Sequence, residues 1–286
     1  MLAVLLGITA AVSWSLHDLL ARGLAQRVGP FRMAALVMIA GGIVLTGFVI
    51  RDGTLAIPAG SGLMLSLGLG LAYGFGAGGL CKAFSLGPIS LVAPLTAAYP
   101  VLVLLWGLFN GLQPTLLQWA AACTALIGTV IVARAGSGGS DATLPPRIMG
   151  QLLFFSALSS FGYATAVVLG QHAAVSIGEI EAAWISRPAA LLTILPFLIG
   201  EARPIPLQTR HWLGILAMGG FDVLGLVAVN ATGHLPSREF GAIGISAYGA
   251  IAVLLAMVVL KESVRPAQWV GIGMIVTGVA TMAVSQ

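Results

Sequence analysis

Asp222 lies near the middle of an apolar run, HWLGILAMGGFDVLGLVAVNATG, that holds no other acid. A charged group at that depth in a bilayer costs about 3 kcal/mol on insertion scales, so it faces a cavity or a partner. Two chemistries suit it: contact with a substrate ammonium, or uptake and release of a proton. A protonated or hydrogen-bonded structural Asp among glycines is the alternative. All four tyrosines, Tyr73, Tyr99, Tyr163 and Tyr248, also fall inside apolar runs, whereas tyrosine in membrane proteins gathers at the interfaces. A buried phenol needs a partner, which a polar cavity or a backbone carbonyl supplies. Arg187 follows Glu179, Glu181 and Trp184 and stands several residues inside its run. It can receive a substrate carboxylate, pair with Glu181 or Glu179 to gate one mouth, or snorkel to the surface. Arg32 opens an earlier run and reads as snorkelling. Trp14, Tyr73, Tyr99, Tyr163, Trp184, Arg187, Asp222, Asn230 and Tyr248 form the predicted substrate-binding set. His17 and Asp18 read as markers of a helix end, with a polar pair at one rim as the alternative.

No His, Cys and acid cluster occurs at metal-ligand spacing, and no GxSxG or phosphate-binding loop is present. The chain is therefore expected to use no metal and no cofactor and not to be an enzyme, with a membrane-embedded enzyme as the distant alternative. Cys81 and Cys123 lie in apolar runs and read as small core residues. Gly70, Gly74 and Gly78 recur every four residues, a pattern that lets membrane helices approach closely.

The elements that must position these groups are membrane helices. The 286 residues are 58% hydrophobic and only 8% charged, against about a quarter charged in soluble domains. The bases sit mostly at the ends of apolar runs, so nucleic acid is not implied. About ten spans follow, roughly 2–21, 31–50, 61–84, 88–110, 114–134, 148–170, 180–199, 211–233, 237–260 and 266–284, each near the ~20 residues needed to cross. The Gly/Ser/Pro-rich stretch over 136–147 divides them into 1–135 and 148–286, five spans each. Ser13-Trp14-Ser15 matches Gly162-Tyr163-Ala164, and Tyr99 matches Tyr248, both at an offset of 149. Gln118-Trp119 and Gly128 match Gln268-Trp269 and Gly278 at 150, Lys82 faces Asn230 at 148, and Arg32 matches Arg187 at 155. Asp222 is paired on this basis with Gly74. With five spans per copy, the second copy enters from the opposite side, giving two inverted repeats.

Pro94 and Pro100 interrupt the run Gly87–Gly111, and Gly244 and Gly249 interrupt its counterpart, Ser237–Leu260. Proline deletes a backbone donor, and lipid offers no substitute. Paired interrupted spans point to a transporter's binding site and its hinges. These four residues are the predicted gating positions, and the fold class is an all-α membrane protein of ten helices.

In order along nearly the whole chain, these features resemble the drug/metabolite transporter superfamily, in its ten-helix EamA-type branch. The aromatic after a small residue in the first span of each half carries the likeness, as do the Arg opening the second and the Ala-rich end of the third. The broken fourth span and Lys261–Ser263 before Gln268-Trp269 complete it. The chain departs at Asn110–Pro114, where the family often has an acid, so Glu262 is assigned no partner there. Inverted repeats alternate by rocking about a midplane site; the resemblance implies export of small metabolites, amino acids first, and a monomer in a bacterial inner membrane is expected. Drugs, nucleobases or sugar derivatives are the alternative cargo. Ten bases lie on one side of the spans and two on the other; the positive-inside rule puts the termini outside, while the resemblance puts them in the cytoplasm.

Overall fold

The computed structural model describes residues 1–55, 57–86, 92, 95, 99–136, 145–199, 201, 206–236, 238–261 and 264–285. Pro94, Glu262 and most of the predicted linker lie outside the described residues. Among those described, the regular structure is helical: α1 (Leu2–Val28), α2 (Pro30–Asp52), α3 (Ser61–Leu86), α4 (Tyr99–Phe109) and α5 (Leu116–Gly136) in the first half. The second half holds α6 (Pro146–Ile177), α7 (Glu179–Ile194), α8 (Thr209–Ala231), α9 (Gly241–Ile245), α10 (Tyr248–Leu260) and α11 (Pro266–Val284). Because α9 and α10 form one interrupted span, these make ten crossings. Among the described residues, seven spans have the length and hydropathy to cross a membrane, and α4 and α5 are shorter apolar helices.

Local chemistry repeats between the halves. Gly29 and Gly178 precede α2 and α7 at φ +90 and +96, a backbone region that only glycine visits freely. They stand 149 residues apart. The Gln-Trp pairs are helix starts: Gln118 Oε1 accepts the Thr115 N–H at 2.8 Å, and Gln268 Oε1 accepts the Arg265 N–H at 2.9 Å. Each satisfies a donor that the first turn leaves without an intrahelical partner.

Packing obeys the same exchange. Helix α3 lies along α6 and α7, as α8 lies along α1 and α2, while α5 packs on α11 and α2 on α7. Trp14 lies on Gly225, where an added Cβ would be 2.6 Å from the indole Nε1, and Tyr163 lies on Gly76 at 3.0 Å. The Ser13 hydroxyl donates to the Phe221 carbonyl at 2.8 Å. Its counterpart Gly162 approaches the Ala72 carbonyl so closely that a Cβ would lie 2.7 Å from it. The Trp14–Gly225 and Ser13–Phe221 contacts map onto their twins at 149, while the α5–α11 seam maps onto itself at 150.

The offset of 149 shared by the first three spans of each half corrects three pairings, one of them Asn230, which corresponds to Cys81 and not to Lys82. Helices α2 and α7 begin 149 residues apart, so Arg187 corresponds to Met38, not Arg32, and Asp222 corresponds to Tyr73, not Gly74. Gly70, Gly74 and Gly78 meet the packing role read from their spacing. Beside them lie Ser186, Ala190 and Thr193 of α7 and Phe197 just beyond it.

Candidate functional site

Tyr73 and Asp222 occupy equivalent positions of the two halves and touch each other, so they mark the pseudo-symmetry axis. The Tyr73 hydroxyl donates to Asp222 Oδ1 at 2.5 Å. The other carboxylate oxygen accepts from Arg187 Nη1, also at 2.5 Å, and both charged side chains are only 4% exposed. The expected partners of Arg187 were Glu179 and Glu181. Asp222 takes the guanidinium instead, because α7 turns Arg187 toward α8. The Arg187 guanidinium lies 5.8 Å from the centre of the Tyr73 ring. Its Nε and Nη2 are buried without a partner among the described residues, and Gly41 of α2 lies beside it. A buried charged donor left unpaired is costly, and Nε with Nη2 is an edge that can fork a carboxylate.

Around this pair lies an aromatic cluster drawn from both halves. Tyr163 packs edge-on to Tyr73, with centroids 5.8 Å apart. It also packs tilted against Tyr99 at 6.1 Å. Trp14 and Tyr99 pack on the adjoining core of Ala10, Val103 and Val167. The Trp14 indole N–H is buried and has no partner among the described residues. Trp184 is tied to α2, its Nε1 donating to Thr46 Oγ1 at 3.0 Å. Tyr248 donates its hydroxyl to Asp18 on α1.

Asn230 stands apart from the cluster. It is fully buried and donates to the Glu179 carbonyl at 3.5 Å, beside Gly170, so in this conformation it holds α8 to the start of α7. Arg32 does not snorkel freely. Its Nη2 donates to the Glu201 carbonyl, while the Glu201 carboxylate accepts the backbone N–H groups of Phe31 and Arg32 at 3.0 Å each. An acid at a helix N-terminus is favoured by the macrodipole.

Of the predicted hinge residues, Pro100 is the second residue of α4, where its missing N–H breaks no helical bond. Gly244 lies within α9 and gives close approach to Val4 and Gly7 of α1. Gly249 is the second residue of α10. The break itself is Ser246–Ala247, between α9 and α10. Thr129 of α5 donates to the Ser246 carbonyl at 3.3 Å, and Ser15 of α1 donates to the Tyr248 carbonyl at 3.2 Å. The Thr129 hydroxyl thus serves a carbonyl that the interrupted helix exposes, and Ser15 ties α1 to the first turn of α10. Thr129→Val is expected to cost about 1 kcal/mol, read as a drop of roughly 2–4 °C in the thermal midpoint in detergent; an unchanged midpoint would remove Thr129 from the support of the break.

Sequence reasoning underrated Asp18. Helix α1 runs on to Val28, so Asp18 lies well inside it, one turn after Trp14. That i, i+4 spacing was the available signal. At the other end of the bundle, Arg238 bridges His172 at 3.0 Å and Glu239 at 3.4 Å, and Gln171 donates to Thr232 and to the Arg238 carbonyl. These bonds tie the end of α6 to the chain between α8 and α9.

A model of the EamA-like transporter family matches residues 1–134 and again 149–284. The chain belongs to the EamA-like transporter family. This EamA-like protein is 24% identical over 262 residues to the uncharacterized inner membrane transporter YedA of Escherichia coli K12, covering 90% of this chain and 82% of that one. It is 28% identical over 202 residues to the uncharacterized transporter sll1319 of Synechocystis, covering 68% of this chain and 59% of that one. A solved crystal structure shares its fold, with a TM-score of 0.82 at 20% identity over 99% of this chain and 98% of the other. The EamA-like chain is a multi-pass inner membrane protein and a transporter, and its kinship points away from an enzyme.

Proposed function

We propose that this EamA-like transporter is a secondary carrier that exports small metabolites, amino acids foremost, by alternating access around its tyrosine-lined centre. One observation carries the reading: Tyr73 and Asp222 are equivalent residues of the two halves and bond to each other within an aromatic cluster that both halves build. Residues 1–135 and 148–286 act as two inverted repeats, joined by 136–147, that rock about this contact. A solute held there is equidistant from the two halves, as alternating access requires.

The chemistry of the centre suits an amino acid. The Nε–Nη2 edge of Arg187 receives the carboxylate once α2 moves off it at Gly41. Ring faces of Tyr73, Tyr99 and Tyr163 receive the ammonium and an apolar side chain, since a cation over an aromatic face gains about 0.5–2 kcal/mol. Asp222 holds Arg187 in place. The pairing of Arg187 with Asp222 also favours a second reading, an amine without a carboxylate, for which no free cation is needed.

Counterflow of radiolabelled amino acids into proteoliposomes tests the reading. Saturable uptake is expected in the wild type, with at least a tenfold loss in Tyr163→Ala protein that stays monodisperse at the assay temperature. Uptake of a lipophilic amine alone would move the substrate to the second reading. Movement of neither would overturn both.

A further inference from the structure

The two halves build the same joint at opposite faces of the membrane, and one of them adds to it. Asn230, near the end of α8, donates to the Glu179 carbonyl at 3.5 Å, where α7 begins. Its twin Cys81, near the end of α3, donates its thiol to the Pro30 carbonyl at 3.8 Å, where α2 begins. Both donors and both acceptors stand 149 residues apart. The first joint lies toward the face where α6 ends, and the second toward the face where α1 ends.

Outside that shared bond the copies differ. At the face where α6 ends, Gln171 Nε2 donates to Thr232 Oγ1 at 2.8 Å and to the Arg238 carbonyl at 3.2 Å. The Thr232 hydroxyl passes its own hydrogen to the Val229 carbonyl at 2.6 Å. A guanidinium can only donate, so His172 Nε2 accepts from Arg238 Nη2 at 3.0 Å. Gln171, Thr232 and Asn230 are buried by protein atoms, so a surrounding bilayer leaves their environment as it is. Gly233 meets the Gln171 carbonyl with no room for a Cβ, and Glu239 lies on Gly107 of α4. The chain that leaves α8 is therefore held against α6 on one side and α4 on the other.

The opposite face has no means of repeating this. The twins of Gln171, His172, Thr232 and Arg238 are Arg22, Gly23, Ala83 and Ile89. Alanine offers no hydroxyl to an amide, and glycine offers no imidazole to a guanidinium. When inverted repeats alternate, a seam and its twin exchange roles, so the seam shut at one face in one state is shut at the other face in the next. Bonds present at one seam and impossible at its twin favour one of the two states.

We infer that Gln171, Thr232 and Arg238, with His172, form a latch that holds the carrier shut at the face where α6 ends and biases its resting population toward access from the opposite face. Each bond of the latch is worth roughly a two- to tenfold bias in population, and opening this face breaks all of them. The inference rests on the alternating-access part of the proposed function and not on the cargo.

Thiol labelling at the twin positions tests it. In a Cys123→Ser background, Asn230→Cys gives α8 the residue that α3 already carries at Cys81; the Asn230 Oδ1 that is lost has no partner among the described residues. Protein in nanodiscs is treated with a charged maleimide that does not enter lipid, and the two sites are read separately by peptide mass spectrometry. Thr232→Val should speed labelling at position 230 roughly fivefold, the worth of one such bond, and slow it at Cys81. Arg238→Gln should act in the same direction at both sites. Thr232→Ser, which keeps the hydroxyl, should label like the parent. An unchanged rate at 230 in either variant, a rise at both positions, or a Thr232→Ser protein that behaves like Thr232→Val would overturn the latch. A rise at 230 with Cys81 unchanged would keep the latch and overturn alternation between the faces.

Discussion

Arg187→Ala is expected to destabilise the protein more than truncation of any tyrosine at the centre, by about 3–5 kcal/mol. The variant leaves Asp222 as an uncompensated charge at 4% exposure, with only the Tyr73 hydroxyl still donating to it. Asp222→Ala should cost a comparable amount, because it strands a guanidinium whose Nε and Nη2 already lack partners among the described residues. The double variant Arg187→Leu with Asp222→Leu removes both charges and fills the space with apolar atoms. Such replacements of buried pairs are often neutral or stabilising, so its thermal midpoint in detergent should recover toward that of the wild type while counterflow stays absent. That pattern would separate stability from function: the pair is retained for transport and is not needed for folding. A single Arg187→Ala variant as stable as the wild type would show that the bond at the symmetry axis is not formed in solution.

The second large effect belongs to backbone packing. In Gly70→Val a new Cβ would press on the Ser186 carbonyl oxygen and lie 2.8 Å from the Ala189 Cβ. The obstacle is backbone, so no rotamer change relieves it, and α3 must move off α7. That displacement also opens the contacts of Gly74 and Gly78 along the same seam. Overpacking typically costs 1–3 kcal/mol and occasionally more; a clash with backbone belongs at or above the upper end, and the variant is expected to give little monodisperse protein on size exclusion. Gly47→Ala is the matching control. Nothing lies within 4 Å of its Cβ, and alanine in a helix interior gains up to ~1 kcal/mol, so its midpoint should hold or rise. A well-folded Gly70→Val protein would mean that α3 and α7 do not pack as closely as described.

These two sites also show where reading from the chain succeeds. The spacing of Gly70, Gly74 and Gly78 announced a close helix contact, because a four-residue period places residues on one face whatever the helix meets. The partner was not legible: nothing in the run of α3 names Ser186 or Thr193. Arg187 and Asp222 were each recognisable as costly at membrane depth. Their pairing was not, since Glu179 and Glu181 are nearer in sequence and compete equally well on paper.

The sequence by itself determined that the protein is an α-helical membrane protein of ten spans, that its two halves share a pattern, and that four tyrosines sit too deep to be interfacial anchors. Hydropathy, proline and glycine act locally, over one or two turns, so their consequences can be read without a fold. Only the tertiary structure decided the offset of 149 for the second and third spans, which separates Arg187 from Arg32 and puts Tyr73 opposite Asp222. It also moved the break to Ser246–Ala247, gave Asp18 to Tyr248, and gave Asn230 to the start of α7. Each of these depends on which faces of distant helices meet. Side chains on opposite halves of a bundle are hundreds of residues apart in the chain and a hydrogen bond apart in space, and no local periodicity encodes that distance.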